Sequence, residues 1–330
     1  MNSKELAKLL GVSPATISMA LNGKPGVSKE TKELVLEAAK KHHVSARALS
    51  IASTRTICLI VFQHKETLLS FSTFMTEVQT GVEKTCAEAG YGFTTRLVFG
   101  IESLIACLSE LSRSDTAGVI LLGTDMVEED FRLLPKKNLP IVLLDNHAYS
   151  YPIDCVKIDN ISSAFSAVNF LIRRRKAVPG YLRSSYELNN FYERKTGFEQ
   201  ALVYNGMSEN SAVIHDLLPS IEGAYADMNA LLKGGLKPAS CYFADNDLIA
   251  IGAMQAMQSH GYRIPEDVAL VGFDDIEMSA GTTPPLTTMH VPKYHFGAAA
   301  VKRLLTLIRD SSLFPIKIEM TANLVIRDSL

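Results

Sequence analysis

The chain has 330 residues, of which 47% are hydrophobic and 21% are charged, and its formal net charge is −2 at pH 7. This length predicts two or three domains, and this composition excludes a disordered or fibrous protein. No apolar run is long enough to span a membrane, and the first residues lack an apolar signal segment. Because the five cysteines are scattered and odd in number, a disulfide framework and a zinc site are disfavoured, and a cytoplasmic protein is expected.

Positive charge is concentrated near the N-terminus. Residues 1–55 contain nine Lys or Arg and four Glu, a net charge of +5, so the remaining residues carry −7 of the total of −2. A basic segment of this kind indicates a polyanionic partner, although a solvated helical surface would give the same count. The charge pattern alone therefore does not decide between the two interpretations.

Three short helices are predicted in residues 1–44. Asn2 is a typical N-cap for the first helix, and Gly11 is a typical residue to end it. Ser13 followed by Pro14 begins a second helix about two residues later, and Ser28 caps a third. So short a break is typical of a helix-turn-helix. The residues expected in the shared small core are Leu6, Leu9, Leu10, Ile17, Ala20, Leu21, Leu34, Val35, Ala38 and Ala39.

The outward face of the second helix consists of small hydroxyl-bearing, amide and apolar side chains. These are Ala15, Thr16, Ser18, Met19 and Asn22. In a DNA major groove, hydroxyl and amide groups bind phosphates, while apolar groups contact thymine methyls. The face therefore indicates a DNA-binding head.

The motifs at residues 4–18 (KELAKLLGVSPATIS), 20–23 (ALNG) and 27–31 (VSKET) resemble the N-terminal signature of the lac/gal repressor family. The resemblance implies that bases are faced by Pro14, Ala15 and Met19. It implies that phosphates are bound by Thr16, Ser18 and Asn22, with Ser13 also among the DNA-contacting residues. The family usually has Arg at the position of Met19. Because Met cannot donate a hydrogen bond to guanine, readout by apolar contacts and DNA shape is expected.

Residues 45–55 fall where this family has its hinge helix, which inserts a Leu into the minor groove. In ungapped register, the family's Arg-Ser-Leu falls on Ile51, Ala52 and Ser53. Ser53 thus occupies the position of the inserted Leu, but it cannot separate base pairs. Leu49 and Ile51 are the alternative candidates for that role.

Strands and helices alternate along residues 56–330. Strands are predicted at 56–62, 91–99, 118–122, 141–144, 178–182, 240–243 and 268–273. Helices are predicted at 74–89, 101–111, 162–173, 193–204, 224–232 and 248–260. This alternation predicts two doubly wound parallel sheets, with a ligand cleft between them at the carboxyl ends of the strands.

The body also carries motifs that resemble those of the same family, at residues 243–252 (FADNDLIAIG), 271–275 (VGFDD) and 283–288 (TPPLTT). The resemblance implies an α/β fold with a three-helix helix-turn-helix head (1–44), a hinge (45–55) and a periplasmic-binding-protein-like body of two doubly wound parallel-sheet lobes (56–330). It places the N-lobe at about 56–157 and 288–313, and the C-lobe at about 158–287 and 314–330.

Polar residues follow several predicted strands, and they form the candidate effector site. Carboxylates accept hydrogen bonds from hydroxyls, an Arg donates in a fork, and aromatic rings stack on sugars or bases, so a polyhydroxylated or nucleoside-like ligand is indicated. The family resemblance gives most weight to Arg194, Asn246 and Asp274. The complete set of candidates is Phe74, Asp145, Arg194, Tyr225, Asn246 and Asp274.

The sequence therefore predicts a ligand-responsive, sequence-specific DNA-binding transcriptional regulator, a repressor controlled by a sugar or nucleoside-like molecule. The alternative is a cytoplasmic sugar-binding receptor without DNA regulation. An enzyme is disfavoured, because no nucleophile-elbow, zinc-protease or phosphate-loop motif is present. No catalytic residue, metal ligand or cofactor is predicted. The expected partners are a pseudo-palindromic double-stranded operator, a carbohydrate effector and a second copy of the chain, with a phosphocarrier co-regulator as in some relatives, and no membrane.

Overall fold

The computed structural model describes residues 7, 9–21, 26–41, 55–64, 73–134, 139–310 and 312–330. They belong to two compact units, one within 1–56 together with Gly90–Gly92, and one formed by Ile57–Ala89 and Phe93–Leu330. Within these residues, no helix has the length and apolar character needed to cross a membrane.

Two helices of the N-terminal unit follow capping serines. They are α1 (Pro14–Leu21) and α2 (Lys29–Lys41). Ser13 Oγ accepts a hydrogen bond from the Thr16 amide at 3.0 Å, and Ser28 Oγ accepts one from the Thr31 amide at 3.2 Å. Gly11, before α1, has a left-handed φ of 64°. These observations confirm both serine caps and the glycine that ends the preceding helical turn.

A small apolar core holds this unit together, made of Ala7, Ile17, Ala20 and Val35. The sequence prediction was wrong for Leu9 and Leu34, which are 57% and 51% exposed. Their neighbours Leu10 and Val35 face the core instead, because adjacent helix residues point about 100° apart. The side chains of Leu6, Leu21 and Ala39 lie outside the part of the chain that the structure describes.

The body contains most of the strands and helices. The strands are β1 (Thr56–Gln63), β2 (Gly92–Phe99), β3 (Thr116–Leu122), β4 (Ile141–Leu144), β5 (Asp154–Ile158), β6 (Gly180–Ser184), β7 (Ile214–Leu217), β8 (Cys241–Ala244), β9 (Ala269–Val271), β10 (Thr288–His290), β11 (Lys317–Met320) and β12 (Asn323–Val325). The helices are α3 (Thr73–Glu88), α4 (Ile101–Leu111), α5 (Glu128–Phe131), α6 (Asn160–Arg175), α7 (Asn189–Tyr204), α8 (Ile221–Lys233), α9 (Asp247–Ser259), α10 (Glu277–Gly281) and α11 (Lys293–Arg309). A 3₁₀ turn covers Glu209–Ser211.

Each lobe of the body is built on its own sheet. The first sheet has the order β11-β5-β4-β3-β1-β2, with Val119 of β3 opposite Ile141 of β4. The second has the order β7-β6-β8-β9, with Tyr181 of β6 opposite Phe243 of β8. The pairs β3–β4, β4–β5, β6–β7, β6–β8 and β8–β9 are parallel. Helices pack on these sheets, so the body has the predicted α/β architecture.

The boundary predicted between the lobes near the C-terminus was wrong. Residues 314–330 were assigned to the C-lobe, but β11 pairs in parallel with β5 of the first sheet, Lys317 lying opposite Cys155. Strand β12 then pairs with β10 in a separate antiparallel sheet. The chain therefore passes between the lobes after β5, between β10 and α11, and between β11 and β12.

Three helix pairs of the body approach so closely that only glycine fits at the contact. A Cβ at Gly197 of α7 would overlap the carbonyl oxygen of Ile161 in α6. One at Gly252 of α9 would overlap that of Ile221 in α8, and one at Gly297 of α11 would overlap that of Val78 in α3. Backbone-to-backbone packing thus fixes each helix pair beside its sheet.

Candidate functional site

A cavity of about 370 Å³ lies between the two lobes. Loops at the carboxyl ends of strands from both sheets contribute to its wall, which is where ligands bind in doubly wound folds. Five of the six candidate effector residues line it, namely Phe74, Asp145, Arg194, Asn246 and Asp274. Tyr225 is not among the lining residues. It packs against the core of the second lobe instead, so its predicted stacking role was wrong.

Backbone geometry presents the polar residues at the strand ends. Asp145 after β4 has a φ of 63°, and Asp274 after β9 has a φ of 105°, both in the left-handed region that non-glycine residues rarely adopt. Asn246 after β8 is the N-cap of α9, and its Oδ1 accepts a hydrogen bond from the Ile249 amide at 2.9 Å. A ligand is therefore left with the Nδ2 group of Asn246.

Arg194 of α7 is buried, with 4% of its surface exposed, and it is held by groups of its own lobe. Its Nε donates to Asn160 Oδ1 at 3.0 Å, its Nη1 donates to the carbonyl oxygen of Asp245, and its Nη2 donates to Asp274 Oδ1 at 3.3 Å. The guanidinium carbon also lies 3.8 Å from the centre of the Phe273 ring. These contacts fix the position of the guanidinium group before any ligand arrives.

Two of the three carboxylates that line the cavity, those of Asp145 and Asp274, have raised pKa values. Burial raises the pKa of Asp145 to about 6, although Thr124 Oγ1 donates to its Oδ2 at 2.8 Å. Burial also raises the pKa of Asp274, against the lowering effect of the nearby Arg194 and Lys293 charges. Burial therefore destabilises the ionised form of both carboxyl groups, and a hydrogen-bond donor on a ligand would stabilise that form.

Replacing Asp145 with Asn is expected to stabilise the folded protein at pH 8 by at most about 3 kcal/mol, since a shift of one pKa unit is worth about 1.4 kcal/mol. The folded-state pKa lies above the ordinary 3.8, so the folded protein holds this proton more tightly than the unfolded chain. Stability is therefore lost as the pH rises from about 4 to about 6, and the loss is complete above that range. Asn keeps the uncharged shape and tolerates the left-handed φ.

Urea unfolding of both proteins at pH 4 and pH 8 would measure this difference. At pH 4 the difference should be small, on the order of 0.5 kcal/mol, because Asp145 is then protonated in the folded state and partly protonated in the unfolded chain. Asp145→Ala is the matched control, and it should be less stable than Asp145→Asn at both pH values, since Ala neither accepts from Thr124 nor tolerates the backbone conformation. An Asn variant with the same stability difference at both pH values would contradict the prediction.

Two further acidic residues beside the site have structural roles. Asp247 is fully buried and accepts hydrogen bonds from Thr288 Oγ1 at 2.5 Å, Ser279 Oγ at 2.6 Å and the Ile276 amide at 3.0 Å. Asp275 accepts from Arg327 Nη2 at 2.6 Å and contacts His290 Nδ1 at 2.8 Å. They fix the loops that carry Asn246 and Asp274 and do not line the cavity.

Polar contacts between the lobes escaped the sequence analysis. Buried Lys157 of β5 donates to buried Glu193 of α7, and Asn189 Nδ2 donates to Asn146 Oδ1 at 3.2 Å. Lys293 Nζ of α11 donates to the carbonyl oxygen of Asp275 at 2.7 Å. A lysine within the apolar strand β5 was the available signal, but nothing in the sequence identified its partner.

The predicted DNA-contacting residues are described only in part. The hydroxyl groups of Ser13 and Thr16 are hydrogen-bonded to each other at 2.9 Å at the start of α1. Met19 lies on the same helix and is partly exposed. Pro14, Ala15 and Ser18 belong to α1, but their side chains lie outside the described part of the chain. Residues outside the described part altogether are Asn22, Leu49, Ile51 and Ser53. In the described residues, no group of His, Cys, Asp and Glu side chains could hold a metal ion.

Comparison with protein families gives two matches. Residues 3–43 match the family described as bacterial regulatory proteins, lacI family, and residues 168–330 match a periplasmic binding protein-like domain. The HTH-type transcriptional repressor PurR of Vibrio vulnificus (strain CMCP6) is 30% identical over 333 residues, covering 99% of this chain and 98% of that protein. The PurR of Pasteurella multocida (strain Pm70) is 29% identical over 333 residues, with the same coverage of both chains.

Solved structures of transcriptional regulators are also similar to this chain. The transcriptional regulator CelR in complex with cellobiose has a TM-score of 0.73 and 25% identity, covering 99% of each chain. The lac repressor dimer bound to operator and the anti-inducer ONPF has a TM-score of 0.76 and 21% identity, covering 98% of this chain and 97% of that one. The second similarity is one of fold.

Proposed function

Because this chain belongs to the lacI family of bacterial regulatory proteins, we propose that it is a repressor whose DNA binding is controlled by a sugar or nucleoside-like molecule held between its lobes. Like its repressor relatives, the chain is a DNA-binding transcriptional regulator and not an enzyme. The observation that carries the effector proposal is the convergence of Asp145, Arg194, Asn246 and Asp274, from both lobes, on one cavity.

The proposed control works through the relative position of the two lobes. Three chain crossings connect them, and a ligand that contacts both would favour one degree of closure over another. A coupling free energy of about 1–3 kcal/mol between effector and DNA would be typical of such a device. Named relatives support this picture, since CelR was solved with cellobiose, and the lac repressor was solved as a dimer on its operator with a small molecule.

The proposed DNA-binding form is a homodimer on a pseudo-palindromic operator. Two copies of α1 would enter successive major grooves, since the two-fold symmetry of the protein then matches that of the DNA. Within each head, Met19 would contact base edges, and Thr16 would lie at a phosphate.

The association constant for a selected operator is expected to fall about 10³-fold or more between about 50 and 200 mM salt, because phosphate contacts release counterions. Fluorescence anisotropy with the complete chain would measure it. Met19→Arg should change the preferred bases, whereas Thr16→Ala should weaken binding to all DNA sequences by a similar factor. A flat salt dependence, or a base preference unchanged by Met19→Arg, would count against the proposed head.

A further inference from the structure

Positive charge is concentrated at one end of the second lobe, where the amino ends of its strands lie. This end is formed by the last turns of α6, α7, α8 and α9 and by the loops that lead from them into β6, β7, β8 and β9. These segments, residues 172–179, 201–213, 230–240 and 256–268, contain seven Lys or Arg and three Asp or Glu, a net charge of +4. Since residues 56–330 together carry −7, the rest of the body carries −11.

Most of these cations lack an acidic partner. Arg263 forms an ion pair with Asp267 at 2.7 Å. The other six have no carboxylate within 4 Å in the part of the chain that the structure describes, and all of them except Arg175 are fully exposed. We call these six residues the basic surface, and they are Arg173, Arg174, Arg175, Lys176, Lys233 and Lys237.

Arg175 joins the segments that make up the basic surface. Its Nη2 donates to the carbonyl oxygens of Ser240 and Glu266, both at 3.3 Å. Ser240 ends the loop before β8, and Glu266 lies in the loop before β9. The last turn of α6 is thus held against both loops, and its cations adjoin the segment that carries Lys237.

The helix dipoles explain only part of this charge. Cations are favoured at helix C-termini, and four helices end here. However, the last turn of α6 contains three arginines and is followed by a lysine, whereas the last turns of α7 and α9 contain no basic residue. The dipole of one helix does not call for four consecutive cations. Their concentration on an acidic body therefore indicates a polyanionic partner.

The basic surface lies at the opposite end of the body from the start of β1. The amide of His64, after β1, donates to Asp125 Oδ2, after β3, at 2.7 Å, so these two strands end at the same edge of the first sheet. Thr124 at that edge and Asn246 at the carboxyl end of β8 both line the cavity. The amino ends of the two sheets are therefore directed away from each other, and the chain enters the body at one of them and carries the basic surface at the other.

We propose that the basic surface binds the phosphate backbone of a second DNA duplex, separate from the operator, so that the regulator brings two DNA segments together. Guanidinium groups donate to phosphate oxygens in a fork, and contacts with phosphates alone confer no sequence preference. The acidic rest of the body repels DNA and confines the contact to this end. This goes beyond the proposed function, because it concerns neither the reading of the operator nor the effector.

Sequential binding on a sensor surface tests the proposal with the complete chain. A biotinylated duplex with the selected operator retains the protein, and a second duplex without that operator then flows over the complex at about 50 mM salt. The second duplex should be captured only when protein is present. Its dissociation constant should rise at least about tenfold at about 200 mM salt, as expected for two or more phosphate contacts.

Charge-removing variants locate this contact. The double variant Arg173→Gln with Arg174→Gln should weaken capture of the second duplex at least about fivefold, because two counterion-releasing contacts are lost. Its affinity for the operator should stay within about twofold of the wild type, since the heads are unchanged. The matched control is Lys302→Gln with Arg309→Gln, which removes two exposed cations from α11 of the first lobe. It should leave both affinities unchanged, and thermal unfolding would show that both variants are folded.

The proposal is overturned if the second duplex is not captured at the lower salt concentration, or if the two double variants have the same effect on its capture. It is also overturned if the Arg173→Gln, Arg174→Gln variant loses operator affinity by the same factor, because the surface would then belong to the operator contact. Tighter binding of polyglutamate than of the duplex would overturn it in favour of an acidic protein partner.

The outcome can be told apart from that of the proposed function. Retention of the chain on the operator tests the proposed function, whereas capture of the second duplex tests the basic surface. Fluorescence anisotropy of a non-operator duplex, compared between the wild type and the two double variants, requires no operator. The arginine variant alone should bind this duplex more weakly, and equal affinities of all three proteins would again overturn the proposal.

Discussion

Replacing Glu193 with Ala is expected to lower the free energy of unfolding by about 3 kcal/mol, since removal of one member of a buried ion pair leaves Lys157 with only the half-exposed Glu319 carboxylate, 3.6 Å from its Nζ. Glu193 is 4% exposed and Lys157 is 6% exposed. The other Glu193 oxygen accepts from Asn160 Nδ2 at 2.9 Å, so the substitution also removes that bond. Urea unfolding of the complete chain would measure the loss.

The same helix provides the matched control. Glu199 pairs with Lys195 at 2.8 Å, but these side chains are 33% and 30% exposed. Glu199→Ala should therefore cost only about 0.5 kcal/mol or less, in line with exposed pairs four residues apart on a helix. The double variant Lys157→Met with Glu193→Leu should recover part of the loss, because it leaves no unpaired charge. If Glu193→Ala and Glu199→Ala lowered the free energy of unfolding by the same amount, the buried pair would contribute no more to stability than the exposed one.

Substitution of Gly297 by Ala is expected to cost more than about 3 kcal/mol, at the upper end of what overpacking causes. The added Cβ would overlap the backbone carbonyl oxygen of Val78 and crowd the Val82 side chain. A backbone group cannot rotate away as a side chain can, so helices α3 and α11 would have to separate. The loss should appear as a lower midpoint of thermal unfolding.

Gly281 is the control for this substitution. It also lies in a helix, α10, but a Cβ there would meet no atom within 4 Å. Gly281→Ala should therefore change stability little, or raise it slightly by restricting the unfolded chain. If both alanines had the same effect, the close approach of α3 and α11 would not be the cause.

The family, the head with its serine caps and the α/β body were all predictable from the sequence. Apolar periodicity gave the bounds of Ile101–Leu111 and Ile141–Leu144 as the structure has them. The short strand Lys317–Met320 was missed, since it is an edge strand with partly exposed side chains and no apolar run. Its partner β5 lies about 160 residues away, and no local pattern encodes such a pairing.

The site could be predicted by residue type but not by contact. Strand ends and the family resemblance selected Asp145, Arg194 and Asp274, which do line the cavity. Tyr225 was chosen because it is aromatic, but its position on α8 directs it toward the core of the second lobe. The Lys157–Glu193 pair depends on how two lobes meet, and that is fixed only by the complete tertiary structure.

The return of β11 to the first sheet has a consequence for synthesis of the protein. Neither lobe is encoded by one continuous stretch of sequence. The first sheet needs residues 317–320 (β11), and β10 obtains its partner strand β12 only after α11 and β11 have been made. A nascent chain emerging from the ribosome thus cannot finish its first sheet until almost all of the body has been translated. Truncation just before residue 317 should therefore yield an aggregation-prone product, with the edge of β5 left without its neighbour.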